Sequence, residues 1–226
     1  MFKAAAVAIA AGLVGLAAIF PADTPDMRAI AVVDGKTILM SRTEVTRGEW
    51  QACVDDGRCA SLPAFGKQAG SNHPMTGISY FDAMEYVSWL NETTGDTLRL
   101  PTAEEWQLAA KELPKPVRKK LFDDPRLDWA AEYGAMPNVP RTLRESGEFG
   151  TFSNGVADLG GNVWEWTSTC AAEGFTAETC PAFVVEGLHE AKMSVFIRDP
   201  ATGGCAVGVP PAHLGLRLVK ESDAGV

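Results

Sequence analysis

The apolar positions of this chain change period several times, and each change marks an element. Ala29 to Val33 and Thr37 to Met40 are short apolar runs separated by Asp34-Gly35, the spacing of a β-hairpin. Thr46 and Glu49 then form a capping box, after which Trp50, Cys53 and Val54 share one helical face. That helix is expected to stop near Asp56-Gly57. A second helix is predicted from Ser79, with Asp82 as a weaker capping partner. Its stripe is Tyr80, Ala83, Met84, Val87 and Leu90, and its end is near Thr94-Gly95. Pro101-Thr102 opens a third helix with the cleanest capping box, Thr102 and Glu105. Trp106, Ala109 and Ala110 are its predicted buried side, read as plain core.

The remainder is less periodic. Residues 60–75 are rich in glycine, proline, serine and asparagine and read as loop, and Leu113 to Phe152 shows no long periodic segment. Ala182 to Val185 and Met193 to Ile197 are strand candidates. Residues 199–211 read as loop, and Leu216 to Val219 is the predicted last strand. Short strands, two or three helices and much irregular loop make an α+β domain. With no internal repeat, the expected organisation is one domain over residues 28–226, preceded by an N-terminal segment and tether over 1–27.

Residues 154–167, Asn-Gly-Val-Ala-Asp-Leu-Gly-Gly-Asn-Val-Trp-Glu-Trp-Thr, hold the densest chemistry. Asp158 and Glu165 enclose the Gly160-Gly161 pair, whose freedom lets backbone carbonyls turn inward. Carboxylates at both ends with carbonyls between them suit a hard cation such as calcium. The same residues also suit a glycine turn beside core tryptophans, with Glu165 bonded to backbone amides. Trp164 and Trp166 flank Glu165 on a strand or surround it in a tight turn.

Composition narrows the functional classes. The chain has 226 residues and a formal net charge of −9, and no basic stripe appears, which argues against nucleic-acid binding. His73, His189 and His213 are scattered, without metal-ligand spacing. An uncharged run from Ala4 to Phe20 follows Lys3 and precedes Asp23 and Asp26, a charge order that favours an exported body. Two outcomes follow: an inner-membrane anchor over residues 4–20 with the body facing the periplasm, or a cleaved signal and a secreted periplasmic protein. Five cysteines fit an oxidising compartment. Cys53 and Cys59 bracket one short loop and Cys170 and Cys180 another. Local pairing would stabilise by about 2–3 kcal/mol per bridge in the chain-entropy picture. Cys205 is left over, as a small buried apolar residue or, less simply, a reactive thiol.

The stretch at 154–167 resembles the Gly-Asn-Val-Trp-Glu-Trp signature of the formylglycine-generating enzyme (sulfatase-modifying factor) family. Four further stretches agree in order: Glu44-Val-Thr46, His73-Pro-Met-Thr-Gly-Ile-Ser79, Arg99-Leu-Pro-Thr-Ala-Glu-Glu-Trp106 and Gly215-Leu-Arg-Leu218. The resemblance covers about residues 38 to 219. It implies the formylglycine-generating-enzyme or C-type-lectin-like fold. It also implies a structural calcium ion with Asp158 and Glu165 as side-chain ligands and Gly161 and Val163 as carbonyl ligands.

The same resemblance defines what is missing. Catalytic members bind copper(I) through two cysteines five positions apart, soft ligands that select that ion. The matching region, about residues 186–205, holds only Cys205, and Gly-Gly-Ser-Trp is absent. No catalytic residue is therefore assigned and no copper is expected. The implied function is a membrane-tethered, periplasm-facing, non-catalytic binding or accessory subunit with a membrane or periplasmic protein partner, and a small-molecule substrate is not expected. The alternatives are a copper-dependent formylglycine-generating oxidase acting on sulfatase cysteines and a calcium-dependent carbohydrate-binding module.

Overall fold

The computed structural model describes residues 23–32, 36–62, 70–113, 122–124, 127, 143–187, 191–194 and 214–222. The two predicted runs pair as antiparallel strands β1 (Met27–Ala31) and β2 (Thr37–Ser41), with Ile30 opposite Ile38. The first strand starts two residues before Ala29 and ends at Ala31, and Val33 and the Asp34-Gly35 turn lie outside the described residues. Helix α1 (Arg47–Asp55) begins at Thr46 with the full capping box and ends at Asp56. Helix α2 (Tyr80–Thr94) is capped by Ser79 and Asp82 and closed by a left-handed Gly95, where a side chain would be strained. Helix α3 (Ala103–Ala109) carries the third capping box, Thr102 and Glu105.

The C-terminal half supplies strands β3 (Trp164–Cys170), β4 (Ala182–Glu186), β5 (Ala191–Ser194), β6 (Leu214–Gly215) and β7 (Val219–Glu221). One sheet runs β1-β2-β7 and the other β5-β4-β3-β6, with β3 and β6 parallel. Two further details differ from the pattern reading. The fifth strand starts at Ala191, two residues before Met193, and residues 195–197 lie outside the described region. Of the predicted last strand, Leu216 to Val219, only Val219 is in a strand: Leu216 to Leu218 form no ladder and separate β6 from β7. Their neighbours are instead the end of β2 and the irregular segment after it: Ser41 donates to the Leu218 carbonyl and Val45 to that of Leu216.

The core lies between the helices and the second sheet. Tyr80 stacks on Phe183 with ring centroids 3.6 Å apart, and Trp50 stacks on Tyr86 at 5.4 Å. Helix α2 is thus covered on two sides. It buries Tyr86 and Trp89 as well as Ala83, Val87 and Leu90, while Met84 of the predicted stripe is 39% exposed. A stripe read from periodicity alone misses this, since a helix packed on two sides buries positions outside a single face. A smaller core joins Ile30, Ile38, Met40, Trp106, Ala109, Val156 and Leu159. Both short cysteine loops are closed, Cys53 to Cys59 and Cys170 to Cys180. Among the described residues no helix is long and apolar enough to cross a membrane; residues 4–20 lie outside them.

Candidate functional site

The signature is built from a turn that leads into β3. Its left-handed residues are Gly155 (φ 84°), Asp158 (φ 66°) and Asn162 (φ 65°), not the Gly160-Gly161 pair where the sequence reading placed that freedom. Asparagine and aspartate tolerate this region better than other side chains. Gly161 is needed for a different reason: a Cβ there would lie 2.3 Å from the Phe149 ring. The turn ties down the irregular segment before it. The Asp158 carboxylate accepts from the amides of Gly147 and Phe149, the latter at 2.7 Å. Asn162 brackets Arg144, accepting from its amide at 3.1 Å and donating to its carbonyl at 3.3 Å.

Glu165 lies on β3 beneath α3 and is 1% exposed. Its oxygens receive Nε and Nη2 of Arg217 at 2.7 Å each, and Trp106 Nε1 also donates to it at 2.7 Å. Trp106 is thus core and hydrogen-bond donor together, a role the plain-core reading missed. Trp166, on the same strand, donates through Nε1 to the Ile78 carbonyl at 3.0 Å. Val163 is buried at the start of the strand, its carbonyl close against Gly187.

Arg217 is wholly buried and its remaining donors go to the carbonyls of Ser41, Arg42 and Ala157. Burial works against its charge, but Glu165, and after it Glu44 and Asp158, outweigh that and hold the guanidinium more firmly protonated than usual. Glu44 is also buried, and among the described residues neither of its carboxylate oxygens has a hydrogen-bond partner. Burial pushes its carboxyl up to about 8; Arg217 opposes the shift, while Glu165 and Asp158 add to it.

Arg217 and Glu44 were visible in the sequence only as parts of motifs. A usable signal was present for Arg217, a cation between two leucines in a buried run, since a buried charge must find a partner. Glu44 carries no comparable local sign.

The structure brings Asp158, Gly161, Val163 and Glu165 into one continuous turn and strand. As these side chains stand they do not fit calcium. Calcium takes six to eight oxygens, whereas both oxygens of Glu165 face the guanidinium and both oxygens of Asp158 accept amides. Among the described residues no group of three or more His, Cys, Asp or Glu is placed to hold a metal. His73 accepts from the Gly70 amide through Nδ1 at 3.1 Å, a loop-holding role. His189, His213 and Cys205 lie outside the described residues. The cluster itself does not reach solvent, so its chemistry is that of a brace.

Comparison with known proteins agrees with this architecture. Among solved structures, PvdO from Pseudomonas aeruginosa superposes with a TM-score of 0.57 at 20% identity, covering 88% of this chain and 92% of that one. Treponema denticola variable protein 1 gives 0.56 at 18% identity, covering 87% and 95%. Such identities speak to the fold alone. A hercynine oxygenase of Mycolicibacterium thermoresistibile is 27% identical over 175 residues, 61% of this chain and 37% of the relative. A formylglycine-generating enzyme of Mycobacterium tuberculosis is 29% identical over 147 residues, 54% of this chain and 43% of the relative. The chain therefore spans about two fifths of the length of these curated relatives. The sequence profile of the sulfatase-modifying factor enzyme 1-like domain matches residues 3–222. The match covers nearly the whole chain, and the protein belongs to the sulfatase-modifying factor enzyme 1-like domain family.

Proposed function

We propose that this protein is a non-catalytic binding or accessory subunit. It is exported, faces the periplasm and is tethered by residues 4–20 to the inner membrane, where it serves a membrane or periplasmic protein partner. One observation carries the reading: the region matching the copper-binding segment, residues 186–205, contains the single cysteine Cys205. One thiolate does not make a two-coordinate copper(I) site. The retained fold supports a recognition role, because irregular segments braced by a buried core offer a stable surface for contacts.

The relatives named formylglycine-generating enzyme favour a second reading, a copper-dependent oxidase acting on sulfatase-type cysteines. Incubating the full chain with copper(I), oxygen and a Cys-x-Pro-x-Arg peptide separates the two. The accessory reading expects no loss of mass at the peptide cysteine. Turnover that disappears in Cys205→Ser would establish the oxidase and remove the accessory reading.

A further inference from the structure

Arg217 stands in an oxygen cage. Nε and Nη2 take the two oxygens of Glu165 at 2.7 Å; Nη1 takes the carbonyls of Ser41 at 3.0 Å and Arg42 at 3.1 Å; Nη2 takes that of Ala157 at 2.9 Å. A guanidinium has five N–H donors in a planar fork, and these bonds use all of them. One carboxylate and three inward carbonyls form the kind of hard-oxygen donor set that calcium prefers. Here a cation belonging to the chain already fills it.

Of the expected calcium ligands this cage holds Glu165, and the second side-chain ligand is committed elsewhere. Asp158 accepts from the amides of Gly147 and Phe149, and so pins the irregular segment that a metal would otherwise pin. Trp106 Nε1 donates to Glu165 as well, at 2.7 Å. A divalent ion entering here would face the guanidinium at short range and would have to strip these donors from both carboxylates.

We infer that Arg217 is the cation that organises the signature, and that residues 157–165 are ordered without metal. Arg217 reaches from the segment between β6 and β7 to the carbonyls of Ser41 and Arg42 at the end of β2, and to Ala157 and Glu165 of the signature. It thereby joins three stretches distant in sequence through one side chain. The inference is independent of the proposed function, because it concerns what holds the signature and not what the protein binds.

The test uses the full chain purified without added calcium. Melting temperature is recorded with EGTA and with 1 mM calcium chloride, for the wild type and for Asp158→Gly, which suits the left-handed backbone at that position and removes the carboxylate. The inference expects the same melting temperature in EGTA and in calcium. A calcium response that survives Asp158→Gly arises elsewhere in the chain and leaves the signature metal-free. A rise of several degrees with calcium in the wild type, absent from Asp158→Gly, would overturn the inference. A second variant, Arg217→Lys, keeps the charge but not the fork. It is expected to melt about 10 °C lower, with no recovery in calcium, or to fail to fold. Wild-type stability in that variant would equally overturn the assignment.

Discussion

At the scale of single residues, Glu44 has the least compensated environment among the described carboxylates of the cluster. It is buried beside Glu165 and Asp158, and its own oxygens meet no donor among the described residues. Its carboxyl is pushed from 4.5 to about 8, by burial first, so the folded state holds a proton that the unfolded state releases at lower pH. The sign follows from linkage. This contribution to stability is fully present below about pH 4.5, falls as pH rises towards 8, and is absent above. Urea-unfolding free energies measured from pH 5 to 9 should decline by up to about 1.4 kcal/mol per pH unit in the wild type. Glu44→Gln should flatten that decline, and an unchanged slope in the variant would show that another group is responsible. Arg217 does not titrate in this range, and the Glu165 carboxylate that it holds in both bonds supplies the charge partner that keeps so deep a cation tolerable.

At the scale of elements, the three helices start from three capping boxes, each closed in both directions. Local chemistry of this kind is readable because donor and acceptor are three residues apart. The signature turn is different, since its shape depends on a neighbour from another loop. Gly161 has an ordinary backbone angle and is required by the Phe149 ring, which leaves no space for a Cβ. Gly161→Ala is expected to cost about 1–3 kcal/mol through this overlap. Chemical denaturation of Gly161→Ala alone and combined with Phe149→Ala checks the cause: the double variant should show a much smaller penalty from the alanine at 161 than the single one does. Equal penalties in both backgrounds would place the requirement in the backbone instead.

At the scale of the whole molecule, two bridged loops and an apolar N-terminal run argue together for an exported protein. Fractionating native cells and determining the mass of the purified chain tests the tether. The expected result is a membrane-bound protein that retains Met1 to Phe20. A soluble periplasmic form beginning after residue 20 would replace the anchored reading with the secreted one.

What the sequence determined alone was everything written in short-range code. The three helix starts, the ends of α1 and α2, the pairing of β1 with β2, the two cysteine loops and the family motifs were legible, because each depends on residues a few positions apart. The α+β class followed from their mixture. The tertiary structure decided which residues the motifs serve. Packing on two sides of α2 buries Tyr86 and Trp89, while Met84 faces outward, and Leu216 to Leu218 leave the ladder to meet the end of β2 and the segment after it. Trp106 acquires a polar partner 59 positions away, and Arg217 meets Glu165 across 52. A carboxylate reads the same in sequence whether it faces a metal, an amide or a guanidinium. Only the path of the folded chain selects among them, by bringing one cation and a ring of oxygens to the same buried point.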